Sequence, residues 1–126
     1  MLNKWLWLMF WIPFSLLGQV HEYESHEFEI SYHDNLDKFH TYYKTTYIIL
    51  DLENHELSYS QRNATGNWKM ITYHVRAFFV DDEMNGIAVV KSGNMDEVIF
   101  NEFKHTITFE FEDGAYWEFH NVDKLR

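Results

Sequence analysis

From His26 onward, apolar and polar positions along this chain alternate with a period of two, the pattern of half-buried β-strands. In His26-Glu27-Phe28-Glu29-Ile30-Ser31-Tyr32 the apolar residues fall on even positions with polar residues between them. Asp34, Asn35 and Asp37 form a turn cluster with room for a short helical turn over 34–39. Thr41 to Leu52 is too rich in Thr, Tyr and Ile to stay helical and reads as strand.

Parity tests the turns. A two-residue Asn54-His55 loop would pair Leu52 with Leu57 and Leu50 with Tyr59, placing Ile48, Leu50, Leu52, Leu57 and Tyr59 on one face. The next run, Trp68 to Val80, carries Ile71, Tyr73, Val75, Ala77 and Phe79 on odd positions. Gly66, in a left-handed conformation, is the natural place for the 62–67 connection to absorb a residue. Short strands at 87–91 and 97–101 follow, joined by Ser92-Gly93-Asn94. In the last hairpin only a three-residue Glu112-Asp113-Gly114 loop keeps one apolar face. Phe111 then meets Ala115, Phe109 meets Trp117 and Ile107 meets Phe119. The chain reads as all-β, an antiparallel meander of about seven or eight strands, closed into a small barrel in preference to a two-layer sandwich.

The first eighteen residues, MLNKWLWLMFWIPFSLLG, break this pattern and read as a signal peptide. Lys4 supplies a basic start, and an apolar run from Trp5 to Gly18 follows. Its length is about 21 Å as a helix, short of roughly 30 Å of bilayer hydrocarbon. Cleavage after Gly18 leaves no membrane span and predicts an exported protein, periplasmic or secreted. Residues 19–25 then form an acidic, His-containing lead-in to a single domain over 26–126.

Composition narrows the partners. Ten Lys and Arg stand against 20 Asp and Glu, for a formal charge of −10, and loss of Lys4 makes it −11. That balance argues against binding to nucleic-acid phosphates or to an anionic lipid surface. It has no cysteine, so disulfides and a lipid-modified cysteine are excluded. Aromatic residues make up 19% of the chain, enough for a substantial core or an aromatic pocket.

Candidate chemistry is sparse. Eight histidines are many for 126 residues, and His21, His26, His33 and His40 cluster early. A mature start of Gln19-Val20-His21 would offer an amine, two amide nitrogens and an imidazole, a four-nitrogen set suited to copper or nickel. His21 and His26 with Glu22 and Glu24 make a zinc-type set in an extended segment. Against both stands the ordinary case of exposed histidines in an acidic lead-in. Thr72, His74 and Arg76 share the polar face of their strand, and Glu110, Tyr116, Glu118 and His120 form a polar ladder. Both suit a solvated outer sheet face better than acid–base catalysis. Asp81-Asp82-Glu83 lacks the alternating spacing of a calcium loop and reads as a charged turn. Asn63-Ala64-Thr65 is a sequon on an exposed loop.

These features predict an exported, non-catalytic module that binds an apolar small molecule. The alternative is an interaction protein of the envelope that docks a protein partner through a sheet edge or aromatic patch.

Overall fold

The computed structural model describes residues 19–32 and 35–126, with backbone alone over 35–39. Residues 1–18, where a signal peptide is expected, and His33-Asp34 lie outside the described residues. No helix among those described is long and apolar enough to cross a membrane.

Twelve strands occur among the described residues: β1 (Val20–Ser25), β2 (Glu27–Tyr32), β3 (Asn35–Tyr42), β4 (Thr46–Asp51), β5 (Glu56–Arg62), β6 (Trp68–His74), β7 (Ala77–Val80), β8 (Gly86–Ser92), β9 (Met95–Asn101), β10 (Thr106–Phe111), β11 (Tyr116–His120) and β12 (Asp123–Lys124). They form two antiparallel sheets, ordered β12-β1-β4-β5-β6 and β3-β2-β11-β10-β9-β8-β7. The protein is all-β, and the sheets stack as a sandwich rather than closing into the expected barrel. The physical reason is the behaviour of the chain at its corners. At three of these, His26, 43–45 and Val75-Arg76, what reads as one strand becomes two in different sheets. A fourth, at Asn121-Val122, carries the chain from β11 to β12. No edge of one sheet bonds an edge of the other.

The hairpins explain the local registers. Ile107 faces Phe119 and Phe109 faces Trp117, with Gly114 left-handed at φ 90°, as the apolar parity requires. Phe111 N–H donates to the Ala115 carbonyl at 2.9 Å, closing the loop. At β4–β5 the face is right but the register differs from the expected one: Leu50 faces Leu57 and Ile48 faces Tyr59. The loop has four residues because the Asp51 carboxylate accepts the Asn54 N–H at 3.0 Å and His55 takes the left-handed position at φ 58°. Gly66 is left-handed at φ 88°, within a loop folded around Asn63 Oδ1 and outside the ladder. Residues 35–39 are strand, so the expected short helical turn over 34–39 does not form.

The lead-in expected over 19–25 is instead strand β1, which pairs β4 from Val20↔Asp51 to Ser25↔Thr46. Its other edge is covered by the C-terminal segment, where Glu22 N–H donates to the Arg126 carbonyl at 2.9 Å. Between the sheets lies an aromatic core. The Phe109 ring centroid is 4.9 Å from that of Phe119 and 5.2 Å from that of Tyr59, which reaches across from β5. Phe28 adds contacts to Phe119 at 5.0 Å and Trp117 at 5.3 Å. Such tilted and edge-to-face pairs add to the area term of burial.

Candidate functional site

Away from this core the sheets border an open-mouthed cavity of about 550 Å³. One wall comes from β1, the end of β4 and β12: His21, Tyr23, Leu50, Leu52 and Lys124. The opposite wall comes from Phe78 and Val80 of β7, Gly86 of β8 and Phe100 of β9. Met84, on the turn after β7, and Glu102 and Phe103, on the turn after β9, complete the lining, and Phe103 is 81% exposed. Met84 holds a left-handed turn position at φ 67°. Its turn is closed by the Asp81 carboxylate, which accepts from Glu83 and Asn85 N–H at 3.0 and 2.8 Å. Those bonds, foremost that from Asn85, hold the Asp81 carboxyl below its ordinary value. The acidic run at 81–83 is thus a turn, as its spacing suggests.

The corner at Val75-Arg76 builds the second wall. Val75 is buried and continues the parity of half-buried Ile71 and Tyr73 of β6, but beyond the corner parity reverses and Phe78 and Val80 turn inward. Ala77 and Phe79, expected on the apolar face, are exposed. Val75 N–H donates to His55 and Arg76 N–H to Val89, each at 2.8 Å, one bond to each sheet.

His21 is the one polar residue of the cavity that is deeply buried, at 6% exposure. It sits at an inward position of β1 opposite Leu50. Neither Nδ1 nor Nε2 has a hydrogen-bond partner. Other buried polar side chains differ: Ser25 Oγ donates to the His120 carbonyl at 2.8 Å, and Thr46 Oγ1 accepts from Gln61 at 2.9 Å. Burial is the chief cause that holds the His21 pKa below 6.5; Lys124 adds to it and Glu102 opposes it. The imidazole is therefore neutral at pH 7. Lys124 and Glu102 pair at 3.6 Å. Tyr23 stacks obliquely on Phe100 at 5.3 Å, and burial, with Glu102 nearby, pushes its phenol well above the ordinary value. These two pairs also border a smaller cavity of about 170 Å³.

The structure does not bring His21 and His26 to a common point. They stand at opposite ends of β1, about 16 Å apart for five extended residues. His26 is exposed, with Nδ1 2.9 Å from Thr45 Oγ1 and Nε2 3.7 Å from Glu24. Ligation by the Gln19-Val20-His21 backbone would require the first pairs of the β1–β4 ladder to open and the His21 ring to leave the interior. His74 lies on the other sheet from Glu110, Tyr116, Glu118 and His120, so the two polar groups are separate. His40 is exposed, as expected of a surface residue.

One cluster escaped sequence reasoning. Glu29 on β2 faces Glu118 on β11, and His120 Nε2 lies 3.4 and 3.5 Å from their carboxylates. All three ligand atoms fall within 4.8 Å of one another, so these residues could hold a divalent cation. Polar side chains gathered on an outer sheet face account for the same geometry without a metal. Cross-strand register between β2 and β11 was needed to find it, and these strands are distant in sequence. Glu110, on the same sheet, has its carboxyl pushed up by burial first, with Glu97 and Asp96 adding.

Comparison with known proteins finds no matching family model, no similar curated protein and no similar solved structure.

Proposed function

We propose that this protein is an exported binding module that holds an apolar small molecule between its sheets. The observation that carries the reading is the cavity of about 550 Å³, walled by Leu50, Leu52, Phe78, Val80 and Phe100. Its size falls within the roughly 300–1,000 Å³ of small-molecule sites, and its walls have their mainly apolar character. Exposed Met84 and Phe103 beside it give an apolar ligand a surface to meet on entry. Export rests on the apolar leader, and mass spectrometry of the mature N-terminus tests it: a start at Gln19 supports it, whereas retained Met1 removes it.

A neutral fluorophore, N-phenyl-1-naphthylamine, tests the cavity. One equivalent binds with enhanced emission, and at 100-fold excess over Kd it stabilises the fold by about 2.7 kcal/mol. Val80→Trp fills the space and abolishes the signal while the protein stays folded. If the parent protein binds none and runs as a dimer, docking takes precedence. Trp68 and Met70, exposed at 46% and 63% on edge strand β6, are then the face to test by substitution.

A further inference from the structure

We infer that His21 is the polar anchor of this cavity and that the ligand is an uncharged apolar molecule carrying a hydroxyl group. The inference rests on the cavity reading and deepens it by naming the ligand class. β1 turns its odd positions inward, and His21 occupies a place where the facing strand offers Leu50. An apolar residue there would complete the wall. An imidazole with neither nitrogen partnered instead leaves a buried donor and a buried acceptor unused. Ser25 and Thr46, the neighbouring buried pair at Ser25↔Thr46, both find partners, so His21 stands apart from the polar groups beside it. Among the described residues, the other buried side-chain nitrogen without a hydrogen bond, His120 Nε2, lies against the Glu29 and Glu118 carboxylates.

The chemistry of the anchor selects the ligand. A neutral imidazole donates from one nitrogen and accepts at the other, and a hydroxyl group complements either. The nitrogens are shielded from solvent, so contact with a ligand requires the ring to turn about its last side-chain torsion, which is broad for imidazoles. A carboxylate fits poorly. It can only accept, it would be buried among Leu50, Leu52, Phe78 and Val80, and the Glu102 carboxylate lines the same cavity. Lys124, the one cation in the lining, is already paired with Glu102.

Three probes with one apolar body test this by fluorescence titration at pH 7.5: 1-methylpyrene, 1-pyrenemethanol and 1-pyrenecarboxylate. The alcohol is expected to bind about tenfold more tightly than the hydrocarbon, one hydrogen bond's worth, and the carboxylate more weakly than either. In His21→Phe the ratio of alcohol to hydrocarbon affinity falls to about one, whatever the change in their common affinity. As a check that needs no variant, the His21 imidazole ¹⁵N resonances shift with the alcohol and not with the hydrocarbon. Equal affinity for hydrocarbon and alcohol in the parent protein overturns the anchor and leaves the cavity reading standing. Tightest binding of the carboxylate also overturns it, in favour of an anion site at Lys124. No binding of any probe overturns both readings.

Discussion

The space between the two sheets is filled in one region and hollow in another, although both are built from the same kind of strand. Where β5 faces β10 and β11, Tyr59, Phe109, Trp117 and Phe119 interlock with ring centroids 4.9–6.5 Å apart. Where β1 and the end of β4 face β7, β8 and β9, Leu50, Leu52 and Val80 line the space beside Tyr23, Phe78 and Phe100, and Gly86 contributes no side chain. The filled region also keeps its polar groups outside, on the Thr108–Glu118–Glu29 row. The hollow region turns His21 inward. Stability is concentrated in the first, and the second gives up packing for space.

Truncating a ring in the filled region gives the largest effect. Phe109→Ala is expected to cost about 3–5 kcal/mol, because Tyr59, Phe119 and Trp117 are held from several sides and relax little. Val80→Ala, beside open space, should cost about 1 kcal/mol or less. Urea unfolding of both variants measures the contrast; similar losses would mean the cavity wall is packed as tightly as the core.

Replacing the buried imidazole should act in the opposite direction. His21→Phe is expected to stabilise the ligand-free protein by about 1–2 kcal/mol by removing the unpartnered polar group. The gain should grow on acidification. The unfolded chain takes up a proton near pH 6.5, while burial and Lys124 keep the folded imidazole neutral to lower pH, with Glu102 in partial opposition. The parent protein therefore loses stability as pH falls from about 6.5 toward the lower folded value, and the variant lacks that part of the slope. Midpoints of both proteins at pH 7.5 and 5.5 measure the difference directly. A constant gap would show that His21 titrates alike in the two states.

The two regions also differ in how much of them the sequence reveals. β10–β11 is legible to the residue pair, because apolar parity leaves one register and Gly114 supplies the left-handed turn it needs. The β4–β5 turn is less so, since the left-handed position is held by His55, which carries no glycine signal. The cavity is hidden for two physical reasons. Parity reverses at Val75-Arg76, so Phe78 and Val80 become wall residues in place of Ala77 and Phe79. The inward face of β1 is His21, Tyr23 and Ser25, a set that does not read as apolar, so a strand of the sandwich resembles an exposed lead-in. His21 does stand out in the sequence, as a metal ligand; that its ring is buried follows only from the pairing of β1 with β4.

Adding a carbon atom at Gly86 probes the compliance of the hollow region, with the smallest expected change in stability. A Cβ there would stand 3.0 Å from Phe78 Cζ and 3.3 Å from Cε1, the far end of a side chain, with Phe100 Cβ at an ordinary 3.6 Å. In a filled core such crowding costs about 1–3 kcal/mol. Here the Phe78 ring borders open volume and has somewhere to go, while alanine reduces the freedom of the unfolded chain by about 0.4–1 kcal/mol. Gly86→Ala should thus unfold within about 0.5 kcal/mol of the parent protein. The displaced ring takes its space from the cavity, so affinity for N-phenyl-1-naphthylamine should fall severalfold. A loss of stability above about 1 kcal/mol with unchanged affinity would mean that Phe78 is pinned, and that this wall is as rigid as the aromatic core beside it.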